Sequence, residues 1–155
     1  MKSSEIQQFE QAAKDAVEAL NKNVFITTKQ KMDSLASSPD CHKKSTWDNQ
    51  LGVNQRTLHE SAWDTYEQLR SFYTNRLIIL SGFEQHEAAT VCSFASTAVK
   101  RLVQNSESTL QVALDNVDSW AGNPQDEIAK WVDDVQKLAA QTLDKIHQDL
   151  EVYKE

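Results

Sequence analysis

The sequence predicts an all-α fold, an antiparallel up-down four-helix bundle of long amphipathic helices, and three observations carry that prediction. Apolar residues recur three and four apart through nearly the whole chain. Ala88, Val91, Ala95, Ala98 and Leu102 show the pattern, and Ile128, Val132, Val135, Ala139 and Ile146 repeat it, with Thr142 in register. Side chains at those spacings share one helix face and are buried together against a neighbour. Only 3 Gly and 2 Pro occur in 155 residues, which leaves little material for hairpins or glycine loops. Finally, breaks in the pattern divide the chain into four segments of similar length, about 4–36, 46–80, 83–121 and 124–152, joined by short connections. Segments of this size are roughly 45–57 Å long at 1.5 Å per residue, and such lengths with short turns imply antiparallel neighbours. One helical domain over 1–155 follows, with no fixed-period repeat and no interior linker.

In the first segment, Ser4 and Gln7 have the spacing of a capping box. The predicted buried face is Ile6, Phe9, Ala13, Ala16 or Val17, Leu20, Val24 and Leu35. Lys14 follows Glu10, and Lys22 follows Glu18, in the favourable acid-first order. The run Ile26-Thr27-Thr28 is a weak spot, because β-branched side chains lose χ1 freedom in a helix. Ser37-Ser38-Pro39-Asp40 ends the segment.

Ser45 or Thr46 is positioned to cap the second helix, whose seam reads Leu51, Leu58, Ala62, Tyr66, Leu69, Tyr73, Leu77 and Leu80. Gly52 and Asn54 loosen its first turns, so a later start of the regular helix is allowed. Ser81 to Glu84 forms a second capping box around Gly82. The firmest boundary is Gly122-Asn123-Pro124: Gly suits the C′ position of the third helix, Asn the N-cap of the fourth, and Pro its first turn. Asp126 adds negative charge where the helix dipole favours it.

The composition excludes several function classes. Mean hydropathy is −0.60. The longest aliphatic run, Leu77-Ile78-Ile79-Leu80, is far short of the ~20 residues that cross a bilayer, so no transmembrane segment is expected. No secretory core follows Met1-Lys2, which leaves two settings open: cytosolic, or secreted with a signal peptide already removed. Net charge is −7, with +1 on residues 1–44 and −4 on 122–155, and no basic stripe interleaved with aromatics. Nucleic acid is therefore not an expected partner.

No reactive constellation is legible, and no catalytic residue, cofactor or metal is assigned. Glu-x-x-His, which di-iron bundles need, is absent; His86-Glu87 begins a zincin-like match that fails at Thr90. Asp144 and His147 alone cannot complete a metal shell, and His42, His59, His86 and His147 read as surface or boundary residues. Cys41 beside His42 lacks the geometry of a nucleophile and its base. The acid clusters Asp126-Glu127 and Asp133-Asp134 read as wet helix faces. Cys41 and Cys92 are expected to be free thiols, Cys41 exposed and Cys92 near the buried face.

Two regions stand out as a candidate partner or ligand patch. Up-down order gathers Trp47, Trp120 and Trp131 near one end, either as an aromatic plug closing the core or as an apolar pocket. The other end carries Leu77, Ile78, Ile79 and Phe83, expected to pack on Ile6, Phe9, Val152 and Tyr153, with one or two of the aliphatic run partly exposed. The function expected is a non-catalytic bundle that binds another protein or itself. Two alternatives compete: a carrier of lipid or another apolar ligand, with the architecture but not the sequence of exchangeable apolipoproteins, and a secreted helical effector.

Overall fold

Burial recurs every three to four residues along each helix of the computed structural model, which describes residues 2–41, 43–71, 77–78, 82–120 and 123–154. The elements are α1 (Lys2–Leu20), a π-helical turn (Asn21–Phe25), α2 (Ile26–Ala36), α3 (Lys44–Arg70), α4 (Gln85–Asp115), a 3-10 turn (Val117–Ser119) and α5 (Pro124–Glu151). α1, the π turn and α2 are continuous, so the chain forms four helical rods. No strand occurs among the described residues.

The first rod buries Ile6, Phe9, Ala13, Ala16, Val17 and Leu20 as the periodicity predicts, and then departs from it. The next buried residue is Phe25 rather than Val24, followed by Thr28, Met32 and Ala36, while Val24 and Leu35 are half-buried. The cause is the π turn: Ile26 N–H donates to the carbonyl of Asn21, five residues back instead of four. One extra residue is thereby absorbed and the later stripe stays on the core side. The Ser4–Gln7 box does not start this rod, because the helix already includes Lys2.

α3 begins at Lys44, one residue before the expected caps, after an extended Lys43 with no side-chain cap. Thr46 instead donates its hydroxyl to the Asp40 carbonyl at 2.9 Å, closing the preceding turn. Gly52 and Asn54 do not delay the helix, which is regular through both. Asn54 is buried, accepts from Gln50 Nε2 at 2.9 Å and lies 3.6 Å from Met32 Sδ, so its amide is used in the core rather than against the helix. The seam holds Leu58, Ala62, Leu69 and, in place of Tyr66, Thr65. α3 ends at Arg70, well short of the expected Leu80. Tyr73, Ile79, Leu80 and the cap residue Ser81 lie outside the described residues, as do His42, Gly122 and the side chain of Leu51. Gly82 does mark a turn, with φ of 70°, a conformation that glycine adopts without Cβ strain.

The capping expected of Ser81 and Glu84 is replaced by Glu84 itself at the N-cap, extended and with its side chain not used as a cap. α4 then runs to Asp115 and not to residue 121, so its C-terminus is not set by Gly122. Two side chains close it instead: Asn116 Nδ2 donates to the Val112 carbonyl at 2.8 Å, and Trp120 Nε1 to the Ala113 carbonyl at 3.1 Å. These carbonyls belong to the last turn, which has no further backbone donors of its own. The start of α5 is as expected: Pro124 occupies the first turn and Asn123 Oδ1 accepts from Gln125 N–H at 2.8 Å.

α3 packs on α4, α4 on α5, and α5 on both α2 and α1, while α1 also meets α3 and α4. One apolar core results, from Ile6 and Phe9 in the first rod to Ile146 and Leu150 in the last. Polar ties accompany it between rods: Lys44 to Asp115 at 3.4 Å, Ser37 to Gln125 at 3.1 Å, and Lys154 to Glu10 at 2.8 Å. Among the described residues no helix is long and apolar enough to cross a membrane.

Candidate functional site

The two regions singled out from sequence are mostly interior. Trp47 is fully buried, its ring edge-on to Trp120 at 5.7 Å, and its Nε1 donates to the Cys41 carbonyl at 2.9 Å. Trp131 is also buried, but it pairs with Phe25 at 6.2 Å, and its Nε1 donates to the Ser106 carbonyl at 3.0 Å. Each indole N–H thus finds a main-chain acceptor, the requirement for burying tryptophan cheaply. Trp120 is half-buried against the same core. At the other region Leu77 and Phe83 are buried, Ile78 is half-buried and Ile79 lies outside the described residues. Val152 does not cover them: it is 74% exposed, because α5 ends at Glu151 and the chain turns there. Tyr153 packs on Phe94 at 6.3 Å.

Surface aromatic character lies elsewhere, on α3. His59, Trp63, Tyr66 and Arg70 are spaced four, three and four apart, so they form one outward row. Trp63 stacks edge-on with His59 at 6.5 Å and with Tyr66 at 5.8 Å, and remains 44% exposed. From α4, Lys100 reaches across the helix pair and sets its Nζ 4.0 Å from the Trp63 ring centroid and 5.2 Å from that of Tyr66. Arg70 lies over the Tyr66 ring, 6.0 Å from its centroid. Cation–π attraction at exposed sites contributes about 0.5–1 kcal/mol.

Beside this row a groove of ≈ 330 Å³ opens between Tyr66 and Arg70 on one wall and Ala89, Cys92, Ser93 and Ser96 on the other. Its floor is chemically quiet. Burial pushes the Cys92 thiol up to about 12, against the pull of the nearby Arg70 charge, so the thiol stays protonated and is a poor nucleophile. Ser96 spends its hydroxyl on the Cys92 carbonyl at 2.6 Å. A second groove of ≈ 410 Å³ lies between α4 and α5, with Phe94, Ala98 and Leu102 under a rim of Arg101, Lys145 and Asp149.

The remaining titratable groups pair mainly with one another. Both cysteines are free; Cys92 is buried as expected, but Cys41 is half-buried against the core rather than exposed. His147 turns to Glu10 at 3.0 Å and to Glu151 at 3.3 Å, not to Asp144 as a ligand pair. Glu10, only 7% exposed, also takes Lys154. Burial works to raise its pKa, but hydrogen bonds from Lys154 and His147 outweigh that and hold it below the ordinary value. The bond to Glu10 raises Lys154 in turn, against its own burial. Glu84, His86 and Glu87 bring ligand-type atoms within 4.8 Å of one another at the exposed start of α4, where His86 pairs with Glu84 at 3.5 Å. Asp133 and Asp134 are exposed, as read from sequence.

The Trp63 row carries a sequence signal that reading for buried seams passes over: His59, Trp63, Tyr66 and Arg70 recur four, three and four apart, out of phase with the seam. Residues 68–83 and 88–106 are the two longest stretches without Asp or Glu, in a chain whose net charge is −7. Of the first stretch α3 holds only Gln68, Leu69 and Arg70; His59, Trp63 and Tyr66 precede it, among Glu60, Asp64 and Glu67. Set against protein-family models, curated proteins and solved structures, the chain matches none.

Proposed function

We propose that the chain is a non-catalytic antiparallel up-down bundle that acts by binding another protein through the α3–α4 face centred on Trp63. The up-down order is supported by the ties between rods. The start of α3 meets the end of α4 at Lys44 and Asp115, and the end of α2 meets the start of α5 at Ser37 and Gln125. The single observation that carries the binding reading is the exposed Trp63, flanked by Tyr66 and His59 and topped by Lys100. Trp, Tyr and Arg dominate the energetic centres of protein interfaces, because a rigid ring loses little entropy and buries a large area. Scattered exposed aliphatics such as Val112 need no such explanation.

Affinity capture from the native source, with the immobilised chain and its Trp63→Ser variant side by side, tests this. Trp63 is exposed, so the variant keeps the fold and circular dichroism will match. A protein retained by the parent chain and lost by the variant supports the reading. Retention of nothing, or equal retention by both with a monomeric chain in light scattering, defeats it. The carrier reading draws on the α4–α5 groove, whose volume falls in the ~300–1,000 Å³ range of small-ligand sites. Co-elution of a fluorescent fatty acid that Leu102→Trp prevents would favour that reading instead.

A further inference from the structure

We propose that a groove between α1 and α3 binds a linear aliphatic polyamine, with ammonium groups on Asp15 and Asp64 and methylenes along Ala16, Ala19 and Leu20. The groove encloses ≈ 410 Å³ and has one aspartate on each wall, Asp15 from α1 and Asp64 from α3. It is separate from the Trp63 face, and the proposal does not rest on the protein-binding reading. Thr65 is the side chain that points to an occupant. It lines the groove and is only 7% exposed, yet its hydroxyl has no hydrogen-bond partner among the described residues. A buried hydroxyl on a helix commonly bonds the carbonyl one turn back, as Ser96 does to Cys92 at 2.6 Å and Ser106 to Leu102 at 2.7 Å. Thr65 leaves that bond unmade, and its oxygen is not sealed in the core, so the groove is where it meets a partner.

The surrounding charges select a cation. Between residues 57 and 69, α3 carries Glu60, Asp64 and Glu67 and no Lys or Arg. Arg70, the next cation, lies over the Tyr66 ring instead. Between residues 12 and 26 the first rod balances Asp15 and Glu18 with Lys14 and Lys22, and Lys14 turns to Glu10 at 3.7 Å. An excess of negative charge remains after these neighbours are counted. Among the described residues Asp64 has no ion-pair or hydrogen-bond partner, and Asp15 takes the neutral amide of Gln11 at 3.0 Å. Shape then decides which cation. A bound metal needs several oxygens converging on one point, but the two aspartates stand on opposite walls, and no third carboxylate, His or Cys lines the groove. Two separated carboxylates suit positive charges held apart on one chain. The small and aliphatic side chains between them, with Val24 of the π turn at one end, suit methylenes rather than a hydrated ion. The volume lies in the ~300–1,000 Å³ range of small-ligand sites.

Titration calorimetry of the full chain with spermidine at ~50 mM salt tests this. The expected result is one saturable site per chain, weakened about tenfold or more by Asp15→Asn or Asp64→Asn, each of which removes a charge-assisted hydrogen bond. Both aspartates are exposed, so these variants keep the fold and circular dichroism will match. Ala19→Leu, at another exposed position, fills the groove without changing charge and should weaken binding as much. Asp134→Asn removes the same charge from an exposed position of α5 outside the groove and should change the affinity by less than about twofold. Absence of a saturable site, or indifference to Ala19→Leu or to both groove aspartates, overturns the inference. An equal loss in Asp134→Asn also overturns it, since that reports diffuse attraction to the net charge of −7. Calcium chloride binding at the same stoichiometry, and lost in Asp64→Asn, would replace the polyamine with a metal ion. N-acetyl-lysine amide binding as tightly as spermidine would likewise overturn it and assign the groove to a lysine of another protein.

Discussion

The molecule is fastened in two places by opposite means. Around Trp47 the fastening is apolar: a buried ring, a second ring at 5.7 Å, and indole N–H groups that end on the main-chain carbonyls of Cys41 and Ala113. Around Glu10 it is ionic, where a buried carboxylate on α1 collects His147 and Lys154 from the end of α5 and its tail. The first uses dispersion and hydration, which titrate with nothing. The second uses charges taken partly out of water, which hold only while each group keeps its protonation state. Two fastenings of similar reach therefore give the protein one joint that ignores pH and one that obeys it.

The largest break in that comparison is Trp47→Ala. Removing a fully buried indole should cost about 3–5 kcal/mol in urea unfolding, with the loss the same across the neutral pH range. A loss that varied with pH would mean the ring acts through the ionic joint. Glu10→Gln comes next, at about 2 kcal/mol near neutrality, the usual worth of hydrogen bonds to a charged group. Its pH dependence sharpens the contrast. The folded pKa of Glu10 lies below 4.5, so its contribution is present above that value and fades as pH falls through the lowered one. Lys154 is raised above 10.5, so its share persists below that value and fades as pH rises through the raised one. Glu10→Gln should accordingly flatten the acid limb of the stability curve, whereas Trp47→Ala should lower the curve without reshaping it. Trp120→Phe keeps an aromatic ring and loses the bond to Ala113, for about 1 kcal/mol in the same unfolding experiment. Pro124→Ala should change the melting temperature least, because its missing N–H belongs to the first helical turn, where no intrahelical acceptor exists.

Much of this was legible in the sequence, and the parts that were not share a physical cause. Periodicity located the four rods, and Asn123-Pro124 located a boundary, because burial stripes and capping chemistry are local. Other helix ends were settled by side chains of the adjoining turns, six or seven residues away, beyond the reach of a capping motif. α4 stops at Asp115, where Trp120 folds back on Ala113, and Thr46 serves Asp40 instead of capping α3. The ionic joint was half visible: Glu10 and Lys14 are spaced as a pair and do approach to 3.7 Å, but nothing local announces Lys154. The Trp63 face was missed for a related reason. Its row is short, and its cation, Lys100, comes from the neighbouring helix, so only the spacing of His59, Trp63, Tyr66 and Arg70 hints at it.

The π turn at Asn21–Phe25 also says something about how the chain tolerates editing. Leu20 and Phe25 are both core residues five positions apart, one more than a regular helix places between successive turns of one face. The rod therefore carries one surplus residue at that point, held as a bulge. Excising Asn23, which is exposed, would bring Leu20 and Phe25 to a spacing of four and convert the bulge into ordinary helix, with every flanking core contact still in phase. The same one-residue excision at Ala13 would rotate all that precedes it by about 100° and carry Ile6 and Phe9 out of the core. Of all positions in the first rod, this turn is the one where the length of the protein can change without its interior noticing.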